Sequence, residues 1–149
     1  MSTITGTDLM LFYNGKSIGG ATSHDLDISI ETVETTSKDT GGKWTTKKGR
    51  KISWTVNTNN LFSFEATGVG FDTLFDNAIN FAETEVILTT KADIDAVNAP
   101  ADGWTPSTTA TQYKGKVVIT KLTLNAPNNE NTTYTASFEG SGELQKVTP

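Results

Sequence analysis

The sequence predicts a mainly β protein: a β-sandwich or partly open barrel of antiparallel strands, with one short α-helix and a long β-hairpin loop. Threonine occurs 27 times, and β-branched residues favour strands over helices. Several segments alternate apolar and polar side chains, which is the pattern of a strand that buries one face. One segment instead follows a helical period. With 149 residues, the chain is predicted to form a single domain over 1–149.

The first third of the chain predicts a tight hairpin followed by a long strand. Asn14-Gly15 interrupts an apolar run and readily adopts the positive φ angles of a two-residue hairpin turn. The strand is expected over residues 24–36, where Leu26, Ile28 and Ile30 alternate with Asp27, Ser29 and Glu31. This alternation predicts one buried face and one wet face.

A basic, glycine-rich segment then interrupts the strands over residues 37–51. Six of the twelve basic side chains lie between Lys38 and Lys51, with Asp39 as the only acid there. That segment carries about +5, whereas the rest of the chain carries about −10. The alternation resumes with Ile52, Trp54 and Val56, so we expect a hairpin whose tip has ten or more residues. Such long tips are uncommon unless they have a function.

The middle of the chain predicts the helix. Four apolar residues recur at i, i+3, i+4 and i+7 and share one helical face: Phe71, Leu74, Phe75 and Ala78. Asp72 is the predicted N-cap. A strand follows, and then a long polar loop that contains Asp93, Asp95 and Trp104.

The last third predicts a strand pair joined by the turn "PNNEN". In the final strand the residues of one parity are apolar: Tyr134, Ala136, Phe138 and Leu144. Gly140 and Gly142 continue this row and leave two gaps in it, where we expect a backbone to approach closely.

Composition excludes several classes of function. The chain has no cysteine, which excludes disulfides, thiolate metal sites and a cysteine nucleophile. No run approaches the roughly 20 apolar residues of a membrane helix, and the N-terminus lacks the pattern of a secretory signal. We therefore expect folding in a reducing cytoplasm and no membrane partner. A net charge of −5 argues against a duplex-DNA binder, which needs a dominant basic face.

Residues that could support catalysis or metal binding are few. His24 is the only histidine, and we interpret it as a surface residue where a strand begins. Asp93 and Asp95 hint at calcium, but the other positions of a calcium loop are missing. "TGGKWTT" has Trp44 where a phosphate loop needs serine or threonine. We predict no catalytic residue, no cofactor and no metal.

Trp44 lies near the middle of the basic segment and has two interpretations. In one, the loop folds back and the indole packs on its own domain. In the other, the segment orders against a neighbouring molecule, since a basic aromatic tip and an acidic body attract each other between copies. Such a contact is heterologous and generates rings or open filaments.

Two alternative functions use the same tryptophans or the same architecture. A carbohydrate-binding or adhesin module could stack sugar rings on Trp44, Trp54 and Trp104, although the position of Trp54 in an alternating strand favours the core. A ring-forming tube protein of type VI secretion would share the predicted shape. An enzyme is the weakest alternative.

The order and wording of the segments resemble the major tail (tail tube) proteins of long-tailed bacteriophages. The resemblance covers nearly the whole chain: an opening hairpin, "ETVETTSKDTGGKW", "KISWTV", a helix at "FDTLFDNAI" and the ending "GKVVITKLTLNAPNNENTTYTASFEGSGEL". The ending carries the most specific pattern, in which a G-x-V-x-I-T strand and an N-A-P turn precede the last strand.

The resemblance implies a structural virion protein without catalysis, made in the host bacterial cytoplasm. Six copies would form a ring whose inner sheets join into a β-barrel, and rings would stack into a tube. The implied partners are further copies, the tape-measure protein, and tail terminator and baseplate or tip proteins. DNA would pass through without specific binding.

The resemblance also implies a contact loop that reaches the adjacent ring over residues 37–51. Its expected contact residues are Lys38, Lys43, Trp44, Lys47, Lys48 and Arg50. Asp27 and Glu31, on the polar parity of their strand, are the candidate channel-facing acids.

Overall fold

The computed structural model describes residues 9–35, 42, 44–63, 68–90 and 104–148. Seven strands and one helix occur in these ranges: β1 (Leu9–Tyr13), β2 (Lys16–Ser17), β3 (Ala21–Glu34), β4 (Lys47–Leu61), α1 (Phe71–Ile79), β5 (Glu83–Thr90), β6 (Gln112–Asn125) and β7 (Thr133–Val147). The predicted class, antiparallel β with one short helix, is confirmed. Within the described part of the chain, no helix is long and apolar enough to cross a membrane.

All seven strands belong to one sheet in the order β2-β1-β5-β6-β7-β4-β3. The sheet curls over on itself. Strands β5 and β6 separate β1 from β7, so β1 and β7 would lie roughly 14 Å apart in a flat sheet. The rings of Tyr13 on β1 and Phe138 on β7 are nevertheless only 5.6 Å apart. Curling thus produces the two packed layers that the sequence predicts for a sandwich.

The core fills the inside of this curl and is closed by α1. Leu74 of the helix is fully buried, and Phe71 packs edge-on against Tyr134 with ring centroids 5.3 Å apart. Asn77 donates a hydrogen bond to the Tyr13 hydroxyl (2.9 Å). Burial raises the pKa of Tyr134 to about 12, because a buried phenolate would lose its hydration.

The helix of the structure differs from the predicted helix in two details. The N-cap residue is Gly70, which makes no side-chain cap, and Asp72 lies in the first turn. A carboxylate there still complements the positive end of the helix dipole. Phe75 is half exposed, because the inward face centres on Leu74 and Phe75 lies about 100° around the helix.

The hairpin turn at Asn14-Gly15 is confirmed, with both residues at positive φ (54° and 84°). The long hairpin is confirmed too, but with different limits. β3 ends at Glu34 and β4 begins at Lys47, so residues 47–51 of the predicted loop belong to a strand. Asp93 and Asp95 lie outside the described residues.

Candidate assembly surfaces

The β3–β4 hairpin extends beyond the rest of the sheet. β3 pairs with β4 along its whole length, whereas β4 pairs with β7 only over residues 55–61. The remainder of the hairpin, residues 28–34 and 47–53, therefore lacks a β7 neighbour. We call this part the arm. It is a two-stranded ribbon that lies past the point where β4 and β7 separate.

Trp54 fills the fork where the two strands separate. Its indole N–H donates to the carbonyl of Gly142 on β7 (3.1 Å), and the side chain is buried. A Cβ added at Gly140 would lie 2.2 Å from the indole ring, and one added at Gly115 would lie 2.6 Å from it. The two glycines leave space for the ring. The Trp54 side chain therefore holds the root of the arm against β6 and β7.

The gap predicted at Gly140 is therefore real, but a tryptophan ring fills it, not a backbone. At Gly142, a Cβ would meet nothing within 4 Å, and the residue has φ of 91°. Its carbonyl, not its missing side chain, makes the contact with Trp54. The period-two row of β7 is otherwise confirmed, with Tyr134, Ala136 and Phe138 buried and Leu144 partly buried.

The arm has one apolar face, which continues the core face of the hairpin. Cross-strand pairs put these residues on that face: Leu26 with Val56, Ile28 with Trp54, and Ile30 with Ile52. Val56 and Trp54 are buried, but Ile28, Ile30 and Ile52 are 56%, 58% and 70% exposed. The prediction of one buried face is therefore wrong for the arm. Its three isoleucines form an exposed apolar row in the free subunit.

The opposite face of the same hairpin is polar and points away from the core. Asp27 pairs with Thr55, which in turn pairs with Glu139 on β7. The two acids thus lie in one row across three strands. Asp25 faces Asn57 in the next row, and Asn57 accepts a hydrogen bond from Ser137 (2.8 Å). Sequence reasoning singled out Asp27 and missed Glu139, since only the register brings them into line.

Glu31 lies further along this polar face and has basic neighbours. It pairs with Lys51 and receives a 3.4 Å contact from the Arg50 guanidinium. A register shift leaves Arg50 as an extra residue of β4 between Gly49 and Lys51. Such a bulge puts two consecutive side chains on one face. Both members of the Arg50–Glu31 pair are more than half exposed, so it contributes little to stability.

Four of the six predicted contact residues lie in the described part of the chain, and all four are exposed. Trp44 is 82% exposed, which contradicts the interpretation that it packs on its own domain. Lys47, Lys48 and Arg50 lie exposed at the start of β4. Lys38 and Lys43 lie outside the described residues. The structure thus brings Trp44 and four basic residues, Lys47, Lys48, Arg50 and Lys51, to one end of the arm.

The tryptophans do not form a sugar-binding platform. Trp54 is buried in the core, whereas Trp44 is exposed near the start of β4. Trp104 is partly buried and exchanges hydrogen bonds with Ser17, through the backbone N–H of Ser17 (3.0 Å) and through its hydroxyl (2.8 Å). The stacking surface that a carbohydrate-binding module requires is therefore not assembled from these three side chains.

His24 is half-buried on β3, not a free surface residue. Its Nδ1 lies 3.0 Å from the Thr58 hydroxyl. Burial lowers the pKa of His24 from its ordinary value of 6.5, and the charge of Asp25 raises it in part. Among the described residues, no group of three or more histidine, aspartate or glutamate side chains is arranged to hold a metal. His24 links β3 to β4 through its contact with Thr58.

Comparison with solved structures shows which folds this chain is similar to. In fold, the chain is similar to the tail of a gene transfer agent particle refined with C6 symmetry (TM-score 0.73, 16% identity, covering 98% of this chain and 100% of that one). It is also similar to the SPP1 tail tube (TM-score 0.68, 10% identity, covering 99% and 80%). A third similar structure is a sheath/tube terminator of an extracellular contractile injection system (TM-score 0.68, 14% identity, covering 99% of each).

In sequence, no curated protein matches the chain. The family described as phage tail tube protein matches residues 9–146, which is nearly all of it. The chain therefore belongs to the phage tail tube protein family.

Proposed function

We propose that this chain builds the phage tail tube as closed six-membered rings that stack around a central channel. The observation that carries the proposal is a pair of strand edges that no described residue covers, at opposite sides of the β6-β7-β4-β3 part of the sheet. β3 has fourteen residues and is the last strand of the sheet. β6 pairs with β5 only up to Val118, which leaves residues 119–125 with one open edge among the described residues.

Each copy thus has one open edge on each side, and long open edges readily pair with another chain. Pairing β3 of one copy with β6 of the next is a heterologous contact, which closes into a ring when the rotation fits. Four antiparallel strands per copy place β3 and β6 in opposite directions. Rotation about a ring axis preserves strand direction, so the joint between copies is antiparallel like the rest of the sheet. Six copies follow the C6 symmetry of the similar gene transfer agent tail.

The difference in polarity between the two faces of this sheet indicates which face lines the channel. The apolar face packs against the core and α1, so the polar face turns away from the body. We assign the polar face to the channel wall. Asp27 and Glu139 then repeat around the ring at one level, and a row of carboxylates repels phosphate. Glu31 contributes less, because Arg50 and Lys51 lie beside it.

The tube has no catalytic task in this proposal. Its partners are further copies, a tape-measure protein inside the growing tube, and terminator and baseplate proteins at its ends. Structures similar in fold include the sheath/tube terminator of an extracellular contractile injection system and the baseplate of the anti-feeding prophage. DNA passes through the finished channel without specific binding. Synthesis takes place in the host cytoplasm, and the protein then resides in the virion tail.

Electron microscopy of the concentrated protein tests the proposal directly. We expect stacked rings with a central bore in the purified protein or in the parent particle. Dispersed monomers in both would overturn it.

The arm isoleucines provide a variant that separates folding from assembly. Ile28→Ser with Ile30→Ser should leave the unfolding free energy of the free subunit within about 0.5 kcal/mol, because both side chains are already exposed. Tube growth should be lost, because the apolar row no longer has a surface to share with a neighbour. Ser29→Ala with Ser53→Ala changes the opposite face of the same hairpin and should still give tubes. Normal tubes from the isoleucine variant would remove the arm from the assembly.

A further inference from the structure

The end of the sheet opposite the arm carries an open hollow of ≈ 630 Å³. It is lined by Leu61, Asn129, Glu130, Asn131 and Thr133. Leu61 is the last residue of β4 and pairs with Thr133, the first residue of β7. Glu130 donates its backbone N–H to the Pro127 carbonyl (3.4 Å), and Asn129 has φ of 65°. The tight β6–β7 turn and the end of β4 thus form the hollow together.

Strand β4 connects this hollow to the arm tip, so its length gives the distance between them. β4 extends from Lys47 to Leu61 without interruption, which corresponds to about 45 Å at roughly 3.3 Å per residue. Trp44 precedes the start of that strand by three residues. The exposed indole and the hollow therefore lie at opposite ends of one strand, and they cannot meet within a single copy.

The hollow combines one apolar side chain with several polar ones, and an indole can use both, through its ring and through its N–H. Trp44 is the most exposed of the three tryptophans, and burying an aromatic of this size removes about 150–250 Å² from water. Leu61, which is 42% exposed, provides an apolar contact within the hollow. The side-chain oxygens of Asn129 and Asn131 can accept the indole N–H.

The two ends are complementary in charge. The arm tip carries Lys47 and Lys48, both exposed. The hollow carries Glu130, which is exposed as well. Opposite charges at a rim guide two surfaces together and fix their register more than they add affinity. An aromatic anchor surrounded by such a rim is the usual arrangement of a strong contact.

We propose that Trp44 of one copy inserts into this hollow of a copy in the adjacent ring, with Lys47 and Lys48 beside Glu130. The proposal rests on the stacking of rings under the proposed function and names the receiving surface. Because the tip and the hollow lie at opposite ends of the subunit, the contact repeats head to tail and leaves each end of the stack open for the next ring.

Shielding of Trp44 tests the proposal on unmodified protein. Acrylamide, a neutral quencher, should quench the Trp44 part of the fluorescence in free subunits and lose this effect in tubes. The same emission should shift to shorter wavelength on assembly. Subtracting the emission of the Trp44→Phe variant in the free state removes the contributions of Trp54, which is buried, and of Trp104, which is partly buried. Tubes in which Trp44 stays fully quenchable would overturn the proposal.

Cysteine cross-linking identifies the receiving surface, and the chain has no cysteine of its own. Thr45→Cys with Asn131→Cys should give a ladder of covalent oligomers when assembled tubes are oxidised, because each copy links to the next. Thr45→Cys with Glu83→Cys is the matched control, since Glu83 is exposed at the start of β5. It lies in one row with Val118 and Glu139, roughly 20 Å along β7 from Thr133 at the hollow. A ladder from the control pair, or tubes without a ladder from the first pair, would place the arm tip elsewhere.

Charge reversal gives a graded measurement. Glu130→Lys should raise the protein concentration required for tube growth about tenfold, which corresponds to about 1.4 kcal/mol. Glu83→Lys makes the same charge change on an exposed residue of β5 and should leave that concentration unchanged. Equal effects of both variants would show that tube growth responds only to net charge, and this would overturn the proposed contact at Glu130. If neither the unmodified protein nor the parent particle shows tubes, the proposed function itself fails.

Discussion

The two halves of the β3–β4 hairpin have the same alternating pattern and opposite surroundings. At the root of the arm, beside β7, Trp54 and Val56 are buried in the core. In the arm, Ile28, Ile30 and Ile52 continue the same face and are more than half exposed. The difference does not lie in the pairing of the two strands, because the buried and the exposed pairs on this face follow one register without a shift between them. It lies in what covers the hairpin, which is the subunit itself at the root and nothing within the described chain at the arm.

This comparison separates stability from assembly along one pair of strands. Side chains at the root hold the subunit together, whereas side chains of the arm remain available for contacts between copies. Substitutions at the root should therefore change the unfolding of the free subunit. Truncation of the exposed side chains in the arm should leave unfolding nearly unchanged and act on tube growth.

The largest effect is expected at Trp54. Trp54→Ala should lower the unfolding free energy by about 3–5 kcal/mol, since it removes a buried indole and leaves a cavity. Denaturant unfolding of the free subunit measures this loss. Ile52→Ala removes the neighbouring apolar residue on the same face of the arm and should cost less than about 0.5 kcal/mol. Similar losses for the two variants would break the distinction between root and arm.

A smaller effect is expected from glycines on the two sides of the fork. Gly140→Ala should cost about 1–3 kcal/mol, because the new methyl group would lie 2.2 Å from the Trp54 ring. Gly49→Ala places its methyl group 3.4 Å from Ile30, which is an ordinary contact. It should stabilise by about 0.4–1 kcal/mol through the unfolded chain. Equal unfolding free energies for both variants would show that the glycine at position 140 is not required by the indole.

The smallest effect is the pH dependence from His24 at the root. Burial lowers the pKa of its imidazole in the folded state, so the unfolded chain binds more protons near pH 6 than the folded chain does. Its contribution to stability is therefore complete above the unfolded pKa of 6.5 and is lost as the pH falls from there toward the folded value. Unfolding measured between pH 5 and 8 should show this slope, and His24→Gln should remove it. If the unfolding free energy of the variant keeps the same slope with pH, the slope comes from carboxylates and not from His24.

The sequence predicted the elements whose signals are local. The Asn14-Gly15 turn needs two positive φ angles, and few residue pairs adopt them readily. The alternation in β3, β4 and β7 is likewise visible in the chain, and so is the helical period around Leu74. The family was predicted as well, because its ending pattern spans the turn between β6 and β7.

Only the tertiary structure decided what each face meets. Alternation identifies an apolar face but does not say whether the same molecule covers it, so Ile28 and Ile30 were predicted to be buried. The fork filled by Trp54 depends on Gly115 and Gly140, which lie on two other strands. Likewise, the alignment of Asp27 with Glu139 depends on the register of three strands. Burial and register are set by distant segments packing together, and the local order of residues does not contain that information.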